Sequence, residues 1–257
     1  MARFLHKVAI GPLVWPFRRL HPGVMNVLWI YAHPDPASLN GALRDEGVAT
    51  LRDLGHDVRE SDLYAMRWNP VVDEIATVPE DVRIEHEKLD WADTVVVQFP
   101  LWWADTPAIL KGWFDRVFVQ GYGYDYRDET GHTLRYGNGV LAGKRAMVIV
   151  TAGAHEESLG PRGAHGSLDD LLFNVQHATL FYTGMTVLPP LKVTGTNRMT
   201  PEKFECVVEQ LRKRLHSLET TDPLPYRTQD GGDYDRRLVL LPEVAPGQTG
   251  YAAHLTA

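Results

Sequence analysis

Short apolar segments alternate with longer amphipathic segments between about residues 25 and 220. The apolar segments have the length of β-strands and lie at 27–32, 94–100, 145–153 and 185–193, with a half-apolar candidate at 56–63. Apolar residues recur at helical spacing in the segments 38–54, 79–91, 106–119, 167–183 and 200–217. Strands that are apolar on both sides need helices on both sides, so the alternation predicts a parallel sheet in an α/β domain.

Five strands and five helices in this order predict a doubly wound, flavodoxin-like five-stranded parallel sheet with helices on both faces, in a domain spanning residues 25–220. In sheets of this kind, ligands bind beyond the carboxyl ends of the strands. The residues that directly follow each strand are therefore the first candidates for a functional site.

The alternating pattern is missing at both ends of the chain. Residues 1–24 have basic ends and a short apolar middle, which Gly11, Pro12 and Pro16 interrupt. We therefore expect an irregular N-terminal extension rather than a signal peptide. Residues 221–257 are rich in glycine, proline and aspartate and are predicted to form an irregular C-terminal arm, either disordered or packed.

Composition and charge argue against several classes of protein. The net charge is −7 and no run of lysine and arginine stands out, so a nucleic-acid-binding surface is not expected. Cys206 is the only cysteine, which leaves no intrachain disulfide and fits a reducing cytoplasm. No apolar run approaches the roughly 20 residues of a transmembrane helix, so membrane insertion is not expected.

The loop after the first strand, AHPDPASLNGAL at 32–43, has the composition of an anion site. Ser38 or Asn40 can cap the following helix, whose free N–H groups favour phosphate, and His33 can add a donor. Plain helix capping without a ligand is the alternative. A zinc site of the His-Pro-Asp-Asp type is not expected, because Pro36 stands where a second carboxylate is needed and the later histidines lack metal-ligand spacing.

The segment FPLWWADTPAILKGWFDRVF, residues 99–118, places aromatic residues directly after the third strand. Pro100 cannot continue a strand ladder, so residues 101–104 are predicted to form a loop at the ligand edge of the sheet. The two indoles of this loop can stack on a flat ligand, whereas Trp113 and Phe114 have core spacing.

Two later segments add candidate chemistry. GYGYDYRDET at 121–130 carries Tyr124 and Tyr126, which can line an aromatic pocket or pack in a surface loop. TAGAHEESLGPRGAHGS at 151–167 follows the fourth strand and contains His155 and His165. Histidine transfers protons near neutral pH, so these two residues are candidates for that role, with surface hydrogen bonding as the alternative.

Six motifs together resemble the NAD(P)H:quinone oxidoreductases of the DT-diaphorase type and their bacterial relatives, the modulator-of-drug-activity proteins and the ancillary quinone reductases of potassium-efflux systems. The resemblance covers about residues 27–218. Its pieces are AHPDPASLN, ESDLYAMRWNPVV, FPLWWADTPAILKGWFDRVF, GYGYDY, the glycine-rich loop after Thr151, and GAHG. It implies a flavodoxin-like flavoprotein that works as a homodimer with its site between subunits. Hydride passes from NADH or NADPH to the flavin and then to a quinone, by a ping-pong route.

The resemblance also implies roles for individual residues. It assigns the pyrophosphate and adenosine side of the cofactor to His33, Ser38, Leu39 and Asn40. It assigns the flavin ring to Leu101, Trp102, Trp103, Ala104, Thr151, Ala152, Gly153 and Ala154. Tyr124 and Tyr126 would line the nicotinamide and quinone pocket, and His165 would stabilise charge on the flavin.

This sequence departs from the animal enzymes of that family at two places. Leu159 stands where they carry a tyrosine, so His155 is a candidate substitute. The insertion that contacts FAD in those enzymes is largely missing around residues 73–85. FAD is still the cofactor that the resemblance implies, but the missing insertion makes FMN possible. The alternatives are a reductase of nitro or azo acceptors, a flavin-bound regulatory subunit of a membrane transporter, and a flavin-binding module without turnover.

Overall fold

The computed structural model describes residues 23–73 and 77–256, and within them six parallel strands form one sheet. The strands are β1 (Asn26–Tyr31), β2 (Asp57–Asp62), β3 (Thr94–Pro100), β4 (Arg145–Thr151), β5 (Thr186–Val187) and β6 (Leu191–Val193). Their order is β2-β1-β3-β4-β5, and β6 also pairs with β4. This is the flavodoxin-like order, so the predicted fold class is confirmed. Of the predicted N-terminal extension, residues 1–22 lie outside the described residues.

Five α-helices cover the sheet in the described part of the chain. They are α1 (Leu39–Asp53), α2 (Glu80–Trp91), α3 (Ala108–Val117), α4 (Leu168–Val175) and α5 (Pro201–His216). The helix predicted over 167–183 is α4 continued by a π-helical segment, Gln176–Phe181. Helix starts follow local chemistry: Ser38 and Thr200 accept backbone hydrogen bonds at the N-caps of α1 and α5.

Alternate residues of the strands enter two separate cores. Leu28 and Ile30 face α2, α3 and α4, whereas Val27 and Trp29 face α1 and α5. A side-chain period of two with both faces buried is what a covered parallel sheet requires. Helix α1 approaches the sheet closely at Gly47, where a Cβ atom would lie 2.2 Å from the Trp29 ring. Any larger residue at position 47 therefore pushes α1 off the sheet.

The apolar segment 185–193 forms two short strands instead of one continuous strand. β5 pairs with Arg145 and Ala146, and β6 pairs with the last three residues of β4. Pro189 and Pro190 lie between the two strands and have no N–H groups to donate, so the ladder is interrupted there.

Residues 219–256 form an irregular arm that packs on the domain. Tyr251 stacks on Phe173 with ring centroids 4.1 Å apart, and Tyr226 meets His177 edge-to-face at 4.9 Å. His177 lies in the π-helical segment and is buried among these rings. The arm and the π-helical segment thus share one aromatic cluster.

We expect His177 to make the protein less stable in mild acid. Burial, and secondarily the charge of His254, lowers the pKa of His177 from its usual 6.5 to about 4. The folded state therefore favours the neutral ring, and this preference costs stability as the pH falls from about 6.5 towards 4. The loss should reach about 2 kcal/mol at pH 5, where the unfolded chain binds the proton and the folded chain does not.

Urea unfolding at pH 7.5 and pH 5 tests this expectation. The variant His177→Phe should lose less stability between the two pH values than the natural protein. The exposed control His216→Gln should follow the natural protein. Equal acid sensitivity in all three proteins would contradict the assignment.

Candidate functional site

A cleft of about 350 Å³ lies at the carboxyl ends of β1, β3 and β4. Strand β1 pairs with β2 on one side and with β3 on the other, so the cleft lies at the switch point of the sheet. The lining residues are His33, Ser38, Leu39, Asn40, Pro100, Leu101, Trp102, Thr151, Gly153, Thr196 and Asn197. The loops after three central strands and after β6 therefore meet at one place.

The N-terminus of α1 supplies free backbone donors to this cleft. The Ser38 side chain accepts a hydrogen bond from the Gly41 N–H at 3.2 Å and donates to the Asp35 carbonyl at 2.7 Å. The N–H groups of Leu39 and Asn40 have no acceptor within the described part of the chain. Unpaired N–H groups at the positive end of a helix dipole form a site for an anion.

His33 adds a side-chain donor to the same place. The Asp35 N–H donates to His33 Nδ1 at 3.1 Å, and the Ser38 hydroxyl lies 3.0 Å from the same nitrogen. Nδ1 also lies 3.1 Å from the Asp35 carbonyl oxygen, so it accepts or donates according to the tautomer of the ring. In the tautomer that carries its proton on Nε2, His33 can donate Nε2–H to a ligand of the cleft.

A chain of buried polar groups leads from Trp29 to two residues of the cleft, Asn40 and Thr151. Trp29 Nε1 donates to Gln98 Oε1 at 2.9 Å, Gln98 Nε2 donates to the Asn40 carbonyl at 2.8 Å, and Asn40 Nδ2 donates to Thr151 Oγ1 at 2.8 Å. Asn40 Oδ1 is buried and has no partner among the described residues. An unpaired buried acceptor is costly, so this oxygen suits a ligand that brings a hydroxyl donor.

A tight turn carries the two tryptophans at the rim. Trp102 and Asp105 exchange backbone hydrogen bonds of 3.0 and 3.1 Å, and between them Trp103 and Ala104 adopt φ angles of 52° and 61°. Two central residues with positive φ define a type I′ turn, which normally selects glycine or asparagine. The N–H groups of Trp103 and Ala104 have no acceptor in the described chain, and the Trp103 side chain is fully exposed. Strain combined with free donors and an exposed indole makes this turn a candidate for binding a ligand.

Other residues predicted from the sequence lie outside the lining of the cleft. Ala152 is buried behind it, Ala154 is half-buried, and Trp103 and Ala104 project beyond its edge. Tyr124 and His165 are exposed and Tyr126 is half-buried, and none of the three lines the cleft of a single chain. Leu159 lies in the hydrophobic core, where it presents no group to a ligand.

The loop after β6 was missed by the sequence analysis. Its residues Thr196 and Asn197 line the cleft, and a Cβ atom at Gly153 would lie 2.7 Å from Asn197 Nδ2. The predicted strand segment 185–193 ends where β6 ends, at Val193, so the rule that ligands bind after strands could have identified this loop. The same loop borders a second cavity of about 450 Å³, whose lining includes His155, Arg198 and Lys203.

Within residues 23–73 and 77–256, no cluster of three or more histidine, cysteine or carboxylate side chains is arranged to hold a metal ion. Over the same ranges, no helix combines the length and the apolar character needed to span a membrane.

Comparisons with known proteins agree with this geometry. A family model described as a flavodoxin-like fold matches residues 25–218. A Penicillium crustosum protein named ribosyldihydronicotinamide dehydrogenase-like protein traD is 40% identical over 257 residues, which cover 90% of this chain and 95% of that protein. Rat NAD(P)H dehydrogenase [quinone] 1 is 32% identical over 78% of this chain and 80% of its own length.

A similar solved structure is the crystal structure named "Putative quinone reductase" from Klebsiella pneumoniae. It is 45% identical, has a TM-score of 0.86, and is matched over 90% of this chain and 100% of that chain. With these relatives and the family match over most of its length, the chain belongs to the flavodoxin-like family of NAD(P)H:quinone oxidoreductases.

Proposed function

We propose that the protein is a flavin-dependent NAD(P)H:quinone oxidoreductase. One observation carries the proposal: a cleft at the switch point combines the free N–H groups of the α1 N-terminus with a rim of flat indoles. The first feature suits a phosphate and the second suits an aromatic ring, and flavin nucleotides contain both. The names of the relatives support the same reading.

The residues present fit a flavin nucleotide. Leu39 N–H, Asn40 N–H and His33 Nε2–H would hold its phosphate, and the unpaired Asn40 Oδ1 would accept a hydrogen bond from its sugar-alcohol chain. The free N–H groups of Trp103 and Ala104 would meet its ring. A bound flavin supplies the two-electron chemistry, accepting a hydride from NAD(P)H and passing it to a quinone.

Around that position, the protein orients the reactants and stabilises charge. We assign Tyr124 and Tyr126 to the pocket for nicotinamide and quinone, where phenols offer flat faces and hydrogen bonds. We assign His165 to donate a hydrogen bond where negative charge develops. Since donor and acceptor would use the same open face of the cleft in turn, a ping-pong order follows.

We propose FAD as the cofactor in preference to FMN. The second cavity, of about 450 Å³, lies directly across the 194–199 loop from the cleft. Its lining carries Glu156, Glu157 and Glu202 beside Arg198 and Lys203, so charge does not select a ligand there, but the apolar wall at Met199 and Val207 suits the adenine ring of FAD. FMN would leave this second cavity without a role.

We propose that the working form is a homodimer. Tyr124 is 49% exposed and Trp103 is fully exposed, and Met66, Val71 and Val72 are further exposed apolar side chains. Tyr124, Tyr126 and His165 do not line the cleft of their own chain, so a second copy that brings tyrosines to the cleft would complete the pocket. Light scattering of the purified protein tests this assembly.

The visible absorption spectrum of the purified protein is the first test of the function. Flavin bands should appear, and chromatography of the released ligand should show FAD. Mixing with NADPH or NADH should bleach the bands, and adding a benzoquinone should restore them. A colourless protein that takes up no added flavin would overturn the proposal. Bound flavin without turnover would point to a binding module, and turnover confined to azo or nitro compounds would change the acceptor class.

A further inference from the structure

A buried glutamine of the C-terminal arm holds the hairpin that carries Tyr124 and Tyr126. This hairpin, residues 120–138, is called the tyrosine hairpin below. Gln229 is 9% exposed and makes all of its side-chain hydrogen bonds to the hairpin. We infer that Gln229 is a positioning residue for the tyrosines of the substrate pocket, an inference that rests on the proposed function.

The contacts of Gln229 leave none of its amide groups unused. Its Nε2 donates to the Thr133 carbonyl at 2.8 Å and to His132 Nε2 at 2.6 Å, and its Oε1 accepts from Arg135 Nε at 3.1 Å. Its own N–H donates to the Tyr136 carbonyl at 3.2 Å. The reversed amide would set an oxygen against the Thr133 carbonyl, so the neighbours determine the orientation.

These bonds reach Tyr126 in two steps. Thr133 pairs with Arg127 across the hairpin, and the next residue, Leu134, donates its N–H to the Tyr126 carbonyl at 2.8 Å. Gln229 therefore fixes the strand segment that sets the backbone of Tyr126. Asp230, the next residue of the arm, accepts a bond of 2.6 Å from Asn138 Nδ2 and extends the same attachment.

The opposite end of the hairpin is attached to α2. The Tyr122 hydroxyl donates to Asp90 Oδ1 at 2.9 Å, and its ring stacks on His86 with centroids 3.8 Å apart. Tyr124 and Tyr126 thus lie between one attachment to the domain and one to the arm. In a Gln229→Ala variant, the half of the hairpin that follows Tyr126 would lose the three side-chain hydrogen bonds that attach it to the arm.

The role predicted for Gln229 differs from general stabilisation. Residues that line a binding pocket change KM when they move, because they contribute to the binding of substrate and transition state alike. For Gln229→Ala we expect KM for the quinone to rise about tenfold with kcat little changed and flavin content intact.

Two controls separate positioning from loosening of the arm. Arg227→Ala removes bonds from Arg227 to Asp233 and to the Ala253 carbonyl, and these bonds lie within the arm. It should lower thermal stability without raising KM. Gln248→Ala changes an exposed glutamine of the same arm and should alter neither property.

Hydrogen exchange gives a readout that does not depend on activity. Peptides covering residues 127–134 should exchange about tenfold faster in Gln229→Ala than in Arg227→Ala, because the segment that holds the Leu134 N–H against the Tyr126 carbonyl loses its bonds to Gln229 and opens more often. The inference is overturned if KM stays unchanged in Gln229→Ala, or if Arg227→Ala raises it equally. A natural protein that reduces no quinone would instead overturn the proposed function, whatever the exchange rates show.

Discussion

Replacing Ser38 with aspartate is expected to abolish flavin retention with little change in the stability of the fold. Ser38 is the N-cap of α1, and its side chain lies beside the free N–H groups of Leu39 and Asn40. Aspartate is an equally good N-cap and interacts favourably with the positive end of the helix dipole. Aspartate cannot replace the bond that the Ser38 hydroxyl donates to the Asp35 carbonyl, which offsets the gain at the cap, so the free energy of unfolding should change by no more than about 1 kcal/mol.

The same carboxylate would compete with a bound phosphate for the donors and repel it. Two unit charges about 4 Å apart near a protein surface interact by roughly 4 kcal/mol, which corresponds to about a thousandfold loss of affinity. The loss should shrink at high ionic strength, since salt screens exposed charges. Fluorescence titration of the apoprotein with FAD measures the affinity, and urea unfolding measures the stability.

Ser38→Asn is the matched control, because asparagine caps a helix as well as aspartate but carries no charge. It should keep most of the flavin. If Ser38→Asp binds flavin within about tenfold of the natural protein, the phosphate does not lie at the α1 N-terminus. Equal losses in both variants would assign the effect to the lost hydroxyl instead of the added charge.

Replacing Glu85 with alanine is expected to cause a large loss of stability away from the site. Glu85 is fully buried on α2 and accepts hydrogen bonds from Ser61 Oγ at 2.7 Å, Trp113 Nε1 at 2.9 Å and Lys88 Nζ at 2.7 Å. This carboxylate joins α2 to β2 and α3. Alanine would leave two buried donors unpaired and the Lys88 charge without its partner.

Removing one member of a buried ion pair typically costs about 3–5 kcal/mol. For a chain of this size, that corresponds to a drop in Tm on the order of 10 °C. Glu85→Gln keeps an acceptor for the hydrogen bonds and should lose less than half as much. Calorimetry of the two variants checks the difference, and flavin content should be unchanged in both. A loss below about 1 kcal/mol in Glu85→Ala would show that the network contributes little.

Much of the fold could be predicted, because buried strands and helix caps leave recognisable patterns in short stretches of sequence. The apolar segment 94–100 became the central strand β3, since each of its residues is covered by a helix on one face or the other. Ser38 was predicted to cap α1 because its side chain acts on the N–H groups of its own neighbours. The sequence also predicted that the loops after the strands lie at one edge of the sheet, because the carboxyl ends of parallel strands meet there.

Other features depend on residues that are distant in sequence. The bond from Asn40 to Thr151 joins positions 111 residues apart, and Gln229 meets the tyrosine hairpin across 94 to 97 residues. Nothing in the spacing around Gln229 distinguishes it from an exposed glutamine such as Gln248. The irregular composition of the arm likewise left open whether it was disordered or packed.

The sequence by itself therefore determined the order of strands and helices along the chain and the edge of the sheet where the cleft lies. It did so because side-chain periodicity, capping and strand ends are properties of neighbouring residues. Only the tertiary structure decided that Asn40 keeps an unpaired oxygen, that the strand at 185–193 is divided, and that the arm holds the tyrosine hairpin. These outcomes depend on which polar groups meet across the fold. Contacts between residues distant in sequence produce no periodic pattern, so the sequence alone does not predict them.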